Sequence, residues 1–315
     1  MEKKFVSAVI YLNNSEKEII PFLNKIIPVF SNNFEHYEFI FVDDSSEDNT
    51  VCIIKDYLNK HDYKGVFSII YMGFYQGIEA AMNAGRDISI GDFVYEFDNV
   101  LSDFKESLIL EIYEKMLSGY DIVSASPNGN MRLSSKLFYK IFNGNSKANL
   151  SIETESFRII SRRAINRIKA IGTHIPYRKA VYASCGLKRS DIKYDSSLSI
   201  AERKNLLKQN GNLLQRGRVA FDYYIYFTNV MEKISLIISV IFFLFFFGTV
   251  FYSLIDYFVN GSAIEGWTST VCFISFGFLG IFVVLTIILK YLSVLLDLIF
   301  RKQKYLVADI EKIVG

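Results

Sequence analysis

The chain has 315 residues, of which 51% are apolar, and its 35 Lys and Arg nearly balance its 33 Asp and Glu for a formal charge of +2. That balance excludes the strongly basic classes that grip nucleic acid through its phosphates. Cys52, Cys185 and Cys272 lack a C-x-x-C spacing and His36, His61 and His174 are scattered, which excludes a disulfide scaffold or a Cys/His zinc site and leaves free thiols.

Lys4 to Leu12 reads as a first strand, followed by Asn13 and Asn14. A helix follows, with apolar residues at Ile19, Ile20, Leu23, Ile26 and Ile27; Ser15 with Glu18 three residues on has the pattern of a capping box. The run Tyr37 to Val42 is mostly aromatic and β-branched, as in a strand covered on both faces, and it ends in Asp43 and Asp44. Ligands of open α/β sheets bind outside the carboxyl ends of strands, so these two acids are candidates for a site. The simpler alternative is that Asp48 or Ser46 only caps the helix Val51 to Asn59.

Further along, Val66 to Tyr71 reads as a strand, Gly77 to Arg86 as a helix and Phe93 to Phe97 as a fourth strand. A helix from Phe104 to Leu117, a strand from Tyr120 to Ser126, a turn at 127–130 and a helix from Leu133 to Phe142 follow. The apolar run at Phe157 leads into a basic helix ending near Ile171, and Gly172 to Leu198 reads as strands. Strands alternating with helices at this spacing predict a doubly wound, mostly parallel α/β sheet.

Ser199 to Leu214 has the pattern of a basic amphipathic helix suited to an anionic leaflet or, equally, to a solvated linker. Phe221, Tyr223, Tyr224, Tyr226 and Phe227 form an aromatic cluster of the kind found at membrane interfaces. Residues 234–255 and 267–289 carry no charge, and each run exceeds the roughly 20 residues that cross a hydrocarbon core. Two transmembrane helices are therefore expected. Arg216, Arg218 and Lys233 before the first, and Lys290, Arg301, Lys302 and Lys304 after the second, predict that both termini are cytoplasmic. The expected organisation is an α/β domain over 1–198, juxtamembrane helices over 199–233, spans at 234–256 and 267–290 joined by an external loop at 257–266, and a tail over 291–315. Ser275, Gly277 and Gly280 in the second span are small enough to pack against another helix, as in a homo-oligomer.

Six segments carry a resemblance by their order and spacing: Val6 to Asn14, Val42 to Thr50, Gly77 to Gly85, Gly91 to Asp98, Phe157 to Arg162, and Tyr305 to Ile310. Together they resemble glycosyltransferase family two, the inverting enzymes of GT-A fold, and within it the polyprenyl-phosphate glycosyltransferases with carboxyl-terminal membrane helices. The resemblance implies a cytoplasmic GT-A domain at the inner (plasma) membrane. It would transfer a sugar from a nucleotide donor, a UDP-sugar before a GDP-sugar by family habit, to polyprenyl phosphate.

By the same resemblance, Asp44 holds the nucleoside with Asn14, Asp43 and Gly77 around it, and Asp98 matches the first acid of the family's Asp-x-Asp motif. Asp103 matches a later acid. The second position of the motif is Val100, which cannot ligate a hard cation. That leaves Mg2+ or Mn2+ on Asp98, alone or with Glu96 two residues back on the same strand face, or a metal-independent or inactive protein. Arg158 and Arg162 are the cationic candidates for the acceptor phosphate. Two alternatives remain at this stage: transfer to a glycan or lipid-linked oligosaccharide, with Asp103 as general base, or a non-catalytic nucleotide-sugar-binding membrane protein.

Overall fold

The computed structural model describes residues 1–128, 155–171, 178–184, 186–198, 267–300 and 305–313, with isolated positions between 202 and 255. They fall into two compact units, one reaching to residue 216 and including 302–315, the other within 217–301. The predicted helix Leu133 to Phe142, the amphipathic helix Ser199 to Leu214 and the aromatic cluster after it lie outside the described residues, apart from position 202.

In the first unit, β1 (Val6–Leu12), β2 (Tyr37–Asp43), β3 (Val66–Met72) and β4 (Phe93–Phe97) run parallel in the order β3-β2-β1-β4. β6 (Phe157–Ser161) then joins β4 antiparallel, followed by β5 (Ile122–Pro127) and β7 (Arg189–Tyr194). The sheet is thus mixed, with a parallel centre. β2 is buried along its whole length, as its mostly apolar run requires, with Glu38 inside it accepting from the Ser7 hydroxyl and the Ile90 N–H.

Helix α1 (Ile19–Asn33) buries Ile19, Phe22, Leu23, Ile26, Ile27 and Phe30, the three-and-four spacing of a single face. Phe30 packs its ring against Phe39 of β2 and Tyr95 of β4, with centroids 5.0 and 5.2 Å away. The predicted capping box does not form. The Ser15 carbonyl, not its hydroxyl, accepts the Glu18 and Ile19 N–H groups, while its own N–H donates to Thr50 Oγ1. Helices α2 (Thr50–Asn59), α3 (Ile78–Ile88) and α4 (Ser107–Leu117) follow the predicted pattern.

α3 packs on β1 and β2 through Gly85. A Cβ there would collide with Val9 Cγ1 and lie 2.7 Å from Val42 Cγ2, both buried. Gly85→Ala is therefore expected to cost about 1–3 kcal/mol by overpacking, measurable as a lower midpoint in urea unfolding.

Two elements differ from the sequence reading. After α5 (Arg162–Ile171), residues 178–184 form a short helix, α6 (Arg178–Ser184), where strands were expected. The tail is not a free appendage either: a final strand, Val307–Ile313, pairs antiparallel with β3 and closes that edge of the sheet.

In the second unit, α7 (Trp267–Phe300) covers the second predicted span in one helix, and the final strand of the first unit is β8. Phe245, from the first predicted span, stacks on Phe273 of α7 at 5.8 Å between centroids. The side chains of several α7 residues are outside the described set, and among the described residues no helix is long and apolar enough to cross a membrane.

Candidate active site

The strand order reverses at β1, which has β2 on one side and β4 on the other, so a crevice is expected beyond the carboxyl ends of these strands. Asn13 and Asn14, Asp43 and Asp44, the loop 73–77, and Asp98 all emerge there.

At the β1–β2 end, Asn14 takes a left-handed conformation (φ 49°), which Asn tolerates. Its N–H donates to Ser46 Oγ at 3.0 Å and its Oδ1 accepts the Glu47 N–H at 2.8 Å, which ties the two loops together. Asp48 accepts the Thr50 N–H at 3.0 Å and the Glu16 N–H at 3.1 Å, which ties the β1 loop to the start of α2, but the N-cap of α2 is Asn49, with no side-chain cap bond. Neither Asp48 nor Ser46 is the cap, and Asp43 and Asp44 are left to other work.

Asp44 is fully buried. Its Oδ1 accepts the Gln76 N–H at 2.8 Å, and its Oδ2 accepts the Gly77 N–H at 2.8 Å and the Tyr11 hydroxyl at 3.0 Å. Gly77, at φ +86°, sits where a residue with a side chain would be strained. Loop 73–77 is in turn held by the tail. The Leu306 carbonyl accepts from Gly73 N–H (3.0 Å) and Gln76 Nε2 (2.7 Å), and Leu306 N–H donates to Gln76 Oε1 at 2.8 Å.

Asp43 differs from its neighbour. One oxygen accepts the Ser46 N–H at 3.3 Å, while Oδ1 is buried with no hydrogen-bond partner among the described residues. A buried acceptor left unpaired is costly, and a ligand N–H or O–H is the group that would relieve it. Burial pushes both carboxyls above their ordinary range, opposed at Asp43 by Ser46 and at Asp44 by the Gln76 N–H, the Tyr11 hydroxyl and the Gly77 N–H.

The β4 end is a network of charges. Glu96 and Asp98, two apart on the strand, share a face. Arg158 of β6 and Arg178 of α6 each fork across both acids. Arg158 reaches Glu96 Oε2 at 2.8 Å and Asp98 Oδ2 at 2.7 Å, and Arg178 reaches Glu96 Oε2 at 2.8 Å and Asp98 Oδ1 at 2.9 Å. The other Glu96 oxygen accepts the Tyr182 hydroxyl at 2.7 Å, and that hydroxyl accepts from Arg86 at 2.7 Å. Glu155 and Glu79 pair with the Nε of Arg158 and Arg178 respectively, both at 2.8 Å.

Burial alone would raise both acids. At Asp98 it is outweighed by Arg158 and Arg178, and at Glu96 by Arg178, Arg158 and Arg86, so both carboxyls lie below their ordinary values. A depressed carboxyl contributes stability above its unfolded-state value and loses it as pH falls through the folded one. Acid unfolding is accordingly expected to begin below about pH 4, the ordinary carboxylate range, and to steepen there; a circular-dichroism titration measures it.

The cation expected at Asp98, with or without Glu96, does not fit this arrangement. All four carboxylate oxygens already accept charge-assisted or hydroxyl hydrogen bonds, Glu96 is wholly buried, and Val100 packs in the apolar core at 5% exposure. Among the described residues, no three His, Cys, Asp or Glu side chains gather to hold a metal.

Two further expectations change place. Arg162 is not brought to Asp98: it donates to the Gly91 carbonyl at 2.9 and 2.6 Å and to the Ser89 carbonyl at 2.9 Å, at the amino end of β4. Asp103 is buried at 1% exposure and accepts from Tyr194 (3.1 Å) and Ser196 (2.7 Å), so it anchors the end of β7. Sequence reasoning missed Arg86 of α3 and Arg178 and Tyr182 of α6, two segments far apart in the chain. Arg86 stands between Gly85 and Asp87 and Arg178 between Tyr177 and Lys179, so neither has the apolar surroundings that marked Arg158.

Residues 7–169 match the glycosyl transferase family 2 profile. The chain is 29% identical over 283 residues to the bactoprenol glucosyl transferase of Shigella phage SfX, covering 86% of this chain and 88% of that protein. It is 27% identical over 196 residues to an uncharacterized glycosyltransferase of Synechocystis, and that match takes in 60% of this chain and 60% of the relative's length. Among solved structures, glucosyl-3-phosphoglycerate synthase of Mycobacterium tuberculosis overlaps at TM-score 0.47 with 14% identity, over 70% of this chain and 78% of that one. The mannosyltransferase PcManGT of Pyrobaculum calidifontis, solved with GDP-Man and Mn2+, also overlaps at 0.47, with 10% identity over 96% and 89%. At such overlaps the fold rests on the strand order itself. By the match over residues 7–169, the chain belongs to glycosyl transferase family 2 and is a glycosyltransferase.

Proposed function

We propose that this glycosyltransferase moves one sugar, with inversion, from a nucleotide donor to polyprenyl phosphate at the cytoplasmic leaflet of the plasma membrane. The observation that carries the donor half is Asp43 Oδ1, a buried acceptor at the carboxyl edge of the sheet without a partner among the described residues. A uracil or guanine base, or a ribose hydroxyl, offers the donor it lacks. Asp44 keeps loop 73–77 in register beside it, and a UDP-sugar is the first donor to try.

The acceptor half is supported by the bactoprenol glucosyl transferase relatives, whose likeness extends over 86% of this chain. A phosphate monoester is already anionic, so its oxygen attacks the anomeric carbon as the bond to the diphosphate breaks, with little call for a general base. The buried, hydrogen-bonded Asp103 is consistent with that chemistry and gives no support to transfer onto a glycan hydroxyl. Membrane anchoring is supported by the charge-free runs 234–255 and 267–289 and by the basic residues that flank them. An anchor of this kind keeps the site beside its lipid and raises the frequency of productive encounters.

Thermal shift of the full chain in detergent, across a panel of UDP- and GDP-sugars, tests the donor half. One class should raise the unfolding temperature, and Asp43→Asn should reduce that rise. The pH dependence has a definite sign. The ionised carboxylates accept more strongly and through both oxygens, and their folded values are raised, so donor affinity should fall on acidification at a higher pH than an ordinary carboxylate titrates. Asp43→Asn should flatten that profile.

A further inference from the structure

We propose that the carboxyl end of β4 is a guanidinium-clasped carboxylate pair that takes no divalent cation, so that this chain binds its nucleoside-diphosphate-sugar donor without Mg2+ or Mn2+. The inference rests on the donor half of the reading above.

Asp98 is the acid from which a cation would have to be held, and each of its oxygens receives an arginine N–H at 2.7 or 2.9 Å. Arg158 and Arg178 are themselves 0% and 1% exposed, locked at Nε by Glu155 and Glu79. Neither can swing aside without leaving those partners and exposing a buried charge. The lone pairs left on Asp98 belong to one carboxylate, whereas Mg2+ asks for near-octahedral oxygen coordination. Val100 adds none, since its side chain is part of the apolar core.

Charge leads to the same place. The carboxylates of Glu79, Glu96, Asp98 and Glu155 face the guanidiniums of Arg86, Arg158 and Arg178, with the Lys179 ammonium close enough to act on Asp98. Four negative groups against four positive ones leave no net charge to draw in a dication. An ion placed on Asp98 would also lie against two fixed cations in a poorly solvated site, where like charges repel most strongly. The positive charge fixed at this strand end is thus the protein's own. Each terminal guanidinium nitrogen carries a second N–H beyond the one spent on a carboxylate.

The test uses the full chain in detergent, the nucleotide sugar that stabilises it, and Mn2+ as a paramagnetic probe. Donor affinity by calorimetry should change less than about twofold between excess EDTA and excess Mn2+. The electron paramagnetic resonance signal of free Mn2+ should keep its amplitude when protein and donor are added. Arg178→Gln, checked for folding by circular dichroism, uncovers one Asp98 oxygen and should create an Mn2+ response absent from the wild type. If that variant does not fold, the wild-type measurements decide alone. Loss of one Mn2+ signal per chain, reversed by Asp98→Asn, or donor binding about tenfold tighter with Mn2+, overturns the inference while leaving the transferase reading intact. Failure of every nucleotide sugar to bind, with or without the ion, overturns the donor reading and this inference with it.

Discussion

Replacing Arg158 with Leu should destabilise the first unit by about 3–5 kcal/mol, the cost of stranding buried carboxylates when their partner is removed. Arg158 sits opposite Glu96 in the antiparallel register of β4 and β6, so its guanidinium enters the network directly across the ladder. Without it, Asp98 Oδ2 loses its donor, Glu96 keeps Arg178, and Glu155 loses its ion pair. Lys55→Ala is the control. That residue pairs with Glu311 at 2.7 Å with the two side chains 35% and 40% exposed, and a solvated pair of this kind is worth about 0–1 kcal/mol. Urea unfolding of the two variants should differ by several-fold in lost stability. Equal losses would mean that the buried network does not hold β4, β6 and α6 together.

Asp44→Asn should lower donor affinity about 10- to 100-fold and cost about 1–3 kcal/mol of stability, because an amide offers one acceptor oxygen where the carboxylate offers two. The Gln76 N–H, the Gly77 N–H and the Tyr11 hydroxyl now share Asp44, and the amide NH2 cannot accept from any of them. Loop 73–77 would then lose its hold at the site. Asp43→Asn makes the contrast. Its oxygen can still accept from Ser46, and its NH2 replaces an unpaired, desolvated acceptor, so stability should hold or rise while donor affinity falls. Calorimetric titration and urea unfolding of the same two proteins separate a loop-holding acid from a ligand-facing one. Identical behaviour in both assays would contradict this division.

The parallel centre of the sheet was legible because buried strands and amphipathic helices have local signatures. The mostly aromatic and β-branched Tyr37 to Val42 and the stripe through Ile19, Leu23, Ile26 and Ile27 announce themselves within a few residues. The apolar run at Phe157, with Arg158 inside it, likewise indicated a charged side chain seeking a partner. What a local pattern does not carry is pairing at a distance. Val307–Ile313 mixes charged and apolar residues as an exposed edge strand does, yet nothing within it names β3 as its neighbour. Arg178 opens a helix of seven residues, too short for a helical period to establish itself, and its partners lie on β4 and α3. Asp98 was read as a cation ligand because the arginines that occupy it are 60 and 80 positions away in sequence. Asp44 was assigned to the ligand by resemblance; the structure shows it holding the loop, with Asp43 carrying the unpaired oxygen.

The most direct test of the central claim is transfer itself. Membranes containing the full chain, supplied with a radiolabelled nucleotide sugar and polyprenyl phosphate, should move label into a lipid-monophosphate fraction from which mild acid releases the free sugar. Asp43→Asn should reduce that transfer. Label that enters only longer glycan, or that never leaves the nucleotide in the presence of the lipid acceptor, would contradict the proposed function.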